Sequence, residues 1–119
     1  QMKDNISYME KFQPLSNEEL KVIEKVQEAL SLIPKIPCTD CQYCVKGCPQ
    51  EIAIPGIFRA MNNYLLYNNL PGAKGNYRWE TRDGGVASKC IECGQCETAC
   101  PQHIHIIDEL KKAVAILEA

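Results

Sequence analysis

CTDCQYCVKGCP (38–49) and CIECGQCETACP (90–101) decide what this chain folds around. Each has the form C-x2-C-x2-C-x3-C-P. The first sets Cys38, Cys41, Cys44 and Cys48 ahead of Pro49; the second sets Cys90, Cys93, Cys96 and Cys100 ahead of Pro101. Corresponding cysteines lie 52 positions apart, and the match continues past them, since CPQEIAI (48–54) parallels CPQHIHI (100–106). Gln50 aligns with Gln102, Ile52 with Ile104 and Ile54 with Ile106. A repeat that carries its ligating residues with it is most simply a duplicated ligand-bearing unit.

All eight cysteines of the 119 residues fall in these two runs. The length sets one small domain as the default. Hydrophobic residues at 45% and charged residues at 24% are ordinary for a globular chain. Thirteen Lys and Arg against fifteen Asp and Glu leave a net charge of -2, without the basic surplus that nucleic-acid binding requires. No apolar run approaches the roughly 18 residues of a membrane span. The opening QMKDNISYMEKF (1–12) lacks the apolar centre of a secretion signal, so a cytoplasmic location is expected. Aromatic residues are only 7%, and so small a core calls for a staple, either disulfides or metal.

The flanking segments read as helices. Ser16 is an N-cap whose capping box closes with Glu19, and Leu15 and Leu20 suit a hydrophobic staple. Leu20, Ile23, Val26, Leu30 and Ile33 recur at helical spacing until Pro34 and Pro37 end the run. This stripe is expected to pack into a core that covers the metal domain; a docking face is the alternative. A second helix is expected over 57–69, with Ile57, Phe58, Met61, Tyr64 and Leu65 on one side, bounded by Pro55-Gly56 and Leu70-Pro71-Gly72. Residues 71–85 are expected to form a loop with one helical turn at most. A third helix spans about 106–118, with Ile107, Leu110, Val114 and Leu117 as its stripe and Asp108 and Glu109 in its first turn. No stretch alternates long enough for a sheet, and IAI and IHI are too short to make one.

Three chemistries compete for the thiols. Disulfides belong to oxidising compartments. Zinc uses C-x2-C knuckles, but in two separated pairs. Here three successive C-x2-C steps put three thiolates on one loop, and a fourth follows before a proline. An iron–sulfur cubane has four iron corners, each taking one soft thiolate, and a loop with cysteines at i, i+3 and i+6 can wrap three of them. Gly47 and Gly94 are expected to let backbone amides approach the sulfurs. Thr39, Gln42, Gln95 and Thr98 are either side-chain donors to the same sulfurs or ordinary loop polarity. Ile36, Ile52, Ile54, Ile91, Ile104 and Ile106 are expected to shield the centres. With eight cysteines for eight corners, His103 and His105 fall outside the ligand set. Lys46 and Lys89 either offset cluster charge or are plain surface charges, and Tyr43, Tyr64, Tyr67 and Tyr77 are expected to be packing residues.

The two runs resemble those of bacterial two-cluster ferredoxins, in which the fourth cysteine of a run ligates the other cluster. This resemblance implies one [4Fe–4S] cluster on Cys38, Cys41, Cys44 and Cys100, and another on Cys90, Cys93, Cys96 and Cys48. It also implies halves that cannot fold apart and metal binding that contributes to the folding free energy. Small ferredoxins of that kind have a shorter gap between runs and a hairpin-containing fold. The 41 residues between Cys48 and Cys90 instead resemble the mainly α, α-helical ferredoxin fold of iron–sulfur subunits of succinate dehydrogenase and of heterodisulfide-reductase-like proteins.

FQPLSNEEL (12–20), IPCTDCQYCVKGCPQEIAIPGIF (36–58) and KCIECGQCETACPQHIHIIDEL (89–110) are similar to the C-terminal region of aldo/keto reductase family proteins that carry a 4Fe-4S dicluster domain. The similarity covers residues 12–119. It implies a lead-in over 1–15 from an upstream barrel domain, a helical dicluster domain over 16–119, and electron transfer between an attached or partner reductase and an electron donor or acceptor protein. In that family an N-terminal (β/α)8 barrel binds a nicotinamide cofactor and carries an Asp, Tyr, Lys and His catalytic set. A barrel needs about 250 residues, so no catalytic residue is assigned within these 119. The alternatives are a stand-alone helical ferredoxin subunit of a larger reductase complex, and a structural or interaction module whose metal serves folding.

Overall fold

The computed structural model describes residues 1–10 and 12–119; Lys11, within the expected lead-in, lies outside the described residues. The chain divides into two compact units, Gln1–Ile33 and Pro34–Ala119.

The first unit contains α1 (Met2–Glu10) and α2 (Asn17–Ser31). α2 begins where its capping box predicts. Ser16 Oγ accepts from the Glu19 amide at 3.3 Å, and the Glu19 carboxylate accepts from the Ser16 amide at 2.8 Å. That backbone hydrogen bond holds the Glu19 carboxyl below its ordinary value. α1 lies within the segment expected as a lead-in. Met2, Ile6 and Met9 keep helical spacing, and Asp4 in the first turn accepts from the Tyr8 hydroxyl at 3.1 Å. Every residue of α1 and α2 is exposed. The stripe expected to enter a core, from Leu20 to Ile33, is between 38% and 51% exposed.

The second unit contains α3 (Tyr43–Lys46), α4 (Ile54–Tyr67), α5 (Leu70–Glu80), α6 (Gln95–Thr98) and α7 (Ile106–Ala113). A short 3-10 turn precedes Cys90, and α7 runs on as a π-helical turn over Val114–Glu118. α4 is the hub. Ile54, Ile57, Phe58 and Met61 keep the i, i+3, i+4, i+7 pattern, and none is more than 1% exposed. They pack against α5 and α7, whose Ile106 and Leu110 are equally buried. Tyr64 and Leu65 complete the predicted face, half-buried. α4 starts three residues before its expected position, because Pro55 falls in the first turn, where no intrahelical amide donor is needed.

α5 corrects the sequence reading most. Pro71, Gly72 and Gly75 argue for a loop, yet an eleven-residue helix forms. Pro71 again sits in the first turn, and the Asn69 side chain accepts from the Gly72 amide at 3.1 Å. Ala73 and Tyr77 enter the core, and this burial outweighs the roughly 1 kcal/mol that each helical glycine costs. The Tyr77 hydroxyl accepts from the Ala87 amide at 2.8 Å and donates to the Glu118 carboxylate, which also accepts from the Ser88 amide at 3.1 Å. Burial and this carboxylate push the Tyr77 phenol well above its ordinary value. The network ties the last turn of the chain to the segment leading into Cys90. Tyr77 is thus the packing residue predicted, whereas Tyr43 at 57% and Tyr67 at 75% exposure are not.

No strand forms among the described residues. One isolated parallel bridge joins Ile52 to Gly85. The Gly85 amide donates to Glu51 O at 2.7 Å, and Gly85 O accepts from the Ala53 amide at 3.1 Å. A Cβ on Gly85 would meet Gln50 O at 2.4 Å and Ile52 Cα at 3.1 Å, both backbone atoms unable to turn aside. Gly85→Ala is therefore expected to destabilise the loaded protein by about 1–3 kcal/mol, read as a lower melting temperature. Gly75→Ala, where a Cβ meets nothing within 4 Å, is the control and should raise it. An unchanged melting temperature for Gly85→Ala would show that the bridge does not hold the two segments together. Among the described residues no helix is long and apolar enough to cross a membrane.

Candidate metal centres

Each cysteine run is a tight loop leading into one helical turn. α3 carries Cys44 and α6 carries Cys96, and both side chains are buried. The loops are bent by residues with positive φ, which recur at the 52-residue offset. They are Asp40 (57°) with Glu92 (58°), Gln42 (66°) with Gly94 (77°), and Glu51 (50°) with His103 (51°). A left-handed residue redirects the chain in one step, so each loop coils and returns its cysteines to one side. The conformation is unstrained only at Gly94; elsewhere it costs on the order of 1 kcal/mol. Gly47, by contrast, has φ of −99°, a conformation that needs no glycine freedom. After each helical turn the fourth cysteine is fixed through its backbone. The Cys48 amide donates to Val45 O and the Cys100 amide to Glu97 O, both at 3.1 Å.

Two cavities result. The first is lined by Cys38, Cys41, Cys44 and Cys100, with Ile54, Phe58 and Ile104 among its walls. The second is lined by Cys90, Cys93, Cys96 and Cys48, with Ile52, Ile54 and Leu110 among its walls. Each gathers three thiols from one run and the last thiol of the other. The walls are repeat images: Phe58 corresponds to Leu110, and Ile104 to Ile52. Phe58 and Leu110 went unremarked as cavity walls in the sequence, though the 52-residue offset runs through them. The same offset relates two ion pairs beside the loops, Arg59 with Asp40 at 2.7 Å and Lys111 with Glu92 at 2.8 Å. None of these four charges was singled out from sequence. Arg59 also holds Glu80 at 2.7 Å.

Of the predicted shielding residues, Ile36, Ile52, Ile54, Ile104 and Ile106 are buried. Ile91 corrects the expectation: it lines the second cavity but is 59% exposed. Thr39 and Gln42 line the first cavity, whereas Gln95 and Thr98 line neither; Thr98 Oγ instead donates to Gly94 O at 3.3 Å. His103 and His105 are exposed and line neither cavity, and Lys46 and Lys89 are exposed. An open cleft beside α3 and α4 carries several charged side chains, among them Arg59, already engaged by Asp40 and Glu80.

All eight thiols are free. Cys41 and Cys93 are exposed, Cys44 and Cys96 buried, and the other four lie between. Burial, reinforced by Cys38, pushes the Cys44 thiol from 9.0 up to about 11. Burial likewise raises Cys38 and Cys96. The thiolate is the nucleophile, so in cluster-free protein iodoacetamide should modify Cys41 and Cys93 before Cys44 and Cys96, as peptide mass spectrometry would show. Equal rates at all four would contradict this burial. The cluster-free fold favours the neutral Cys44 thiol, a contribution fully present below pH 9 and lost as pH rises toward about 11.

The sequence profile of the 4Fe-4S dicluster domain family matches residues 37–105. The chain belongs to that family. No curated protein and no solved structure matches it. A dicluster domain carries two [4Fe–4S] clusters, and the donor set here fits them. Each cavity offers four soft sulfur ligands between apolar walls. Among the described residues no three Cys, His, Asp or Glu side chains converge to hold a single ion.

Proposed function

We propose that this dicluster domain moves single electrons, with Cys38, Cys41, Cys44 and Cys100 holding one cluster and Cys90, Cys93, Cys96 and Cys48 holding the other. The observation that carries this reading is the lining of the two cavities, three thiols of one run with the fourth of the other in each. When bound, each cluster supplies a one-electron couple. The chain's own residues do the rest. The thiolates hold, and Phe58, Leu110 and the buried isoleucines keep water out. Exposed Cys41 and Cys93 bring one edge of each centre to the surface, where a partner protein can approach. Transfer of this kind needs no acid, base or nucleophile from the chain.

The domain is further proposed to be the C-terminal redox module of an aldo/keto reductase-like oxidoreductase. The three segments similar to that family, within 12–119, support this. So does the exposed apolar stripe of α2, which fits attachment to a partner surface.

Anaerobic reconstitution tests the electron-transfer reading. The protein should turn brown, bind about eight irons and bleach reversibly with dithionite. Two tightly held zinc ions in place of iron would overturn it, and clusters without a reversible couple would leave a structural role. A reading frame upstream of Gln1 that encodes a barrel would support the reductase context; one that encodes none would overturn it.

A further inference from the structure

Among the described residues one side chain, Ile54, lines both thiol cavities. It is the first residue of α4 and is 1% exposed. Its amide donates to Ile52 O at 2.8 Å, which fixes the turn by which the first cysteine run enters the helix. Its repeat counterpart Ile106 is equally buried, and the Ile106 amide donates to Ile104 O at 2.9 Å. Ile106 nevertheless lines the first cavity alone. The two halves are thus images of one another in thiols and outer walls, and Ile54 is the residue their two linings share. Ile54 is β-branched, with little rotameric freedom.

We infer that Ile54 is a positioning residue for both centres, a shared dry partition that keeps them apart and keeps water from between them. The inference rests on the ligand sets proposed above. It separates Ile54 from every other wall residue. Phe58 lines only the first cavity and Leu110 only the second, so truncating either opens one cavity, whereas truncating Ile54 opens both. Water admitted beside a cluster favours the more highly charged reduced form and raises its potential.

The experiment uses the full chain loaded with both clusters. Midpoint potentials are measured by redox titration followed by electron paramagnetic resonance, in Ile54→Ala, Ile54→Val, Phe58→Ala and Leu110→Ala. Ile54→Ala should raise both potentials and alter the spin–spin broadening of the fully reduced protein. Ile54→Val should give the same pattern at smaller amplitude, and it carries the test should the alanine variant fail to fold. Phe58→Ala and Leu110→Ala should each raise one potential, and not the same one. If they do so while both Ile54 variants move one potential or neither, the partition is refuted and the ligand sets stand. If Phe58→Ala and Leu110→Ala move the same potential, the ligand sets themselves fail.

Discussion

Cys48→Ala is expected to strip the centre held by Cys90, Cys93 and Cys96 and to spare the one held by Cys38, Cys41 and Cys44. Iron should fall from about eight to about four per chain. Alkylation of the anaerobic loaded protein, read by peptide mass spectrometry, should then label Cys90, Cys93 and Cys96. The reciprocal Cys100→Ala should label Cys38, Cys41 and Cys44. Cys48 lines the cavity of the second run and Cys100 that of the first. Alanine is chosen because a serine hydroxyl can take the place of a thiolate. If Cys48→Ala instead exposed the three thiols of its own run, each run would serve its own centre and the proposed exchange would be wrong.

Residues 80–119 expressed alone should assemble no four-thiolate centre and show little helix by circular dichroism. The fragment keeps Cys90, Cys93, Cys96 and Cys100, but Cys100 lines the other cavity, and the fragment lacks Cys48 and the walls Ile52 and Ile54. It also loses the backbone partners of Gly85 at Glu51 and Ala53. Metal binding contributes on the order of 10 kcal/mol to small metal-dependent folds, so a site that cannot close removes more than any single packing change. An intact centre on this fragment would show that the halves are independent.

What could be read from the sequence was either local or repeated. The start of α2 was legible because a capping box is settled within four residues, Ser16 to Glu19. The buried face of α4 was legible because Ile57, Phe58 and Met61 keep a helical period. α5 was not, since Pro71, Gly72 and Gly75 argue locally against the helix that Ala73 and Tyr77 stabilise by burial. Nor can composition separate buried Tyr77 from exposed Tyr43 and Tyr67, because that difference is made by tertiary contacts. The cysteines announced the site. Arg59 with Lys111 and Asp40 with Glu92 were as visible in the repeat, but ion pairs on a protein surface resemble ordinary solvated charge until their geometry is seen.

The reciprocal placement of Cys48 and Cys100 is what an isologous two-fold pair produces, each partner lending the other the same residue. A forerunner with a single cysteine run would have met the same demand by self-association, as a homodimer with its two sites at the subunit interface. Tandem fusion of the gene would then have made a concentration-dependent assembly intramolecular. Within a single chain the two halves are free to differ, as they do where Ile54 lines both cavities and its counterpart Ile106 lines only the first.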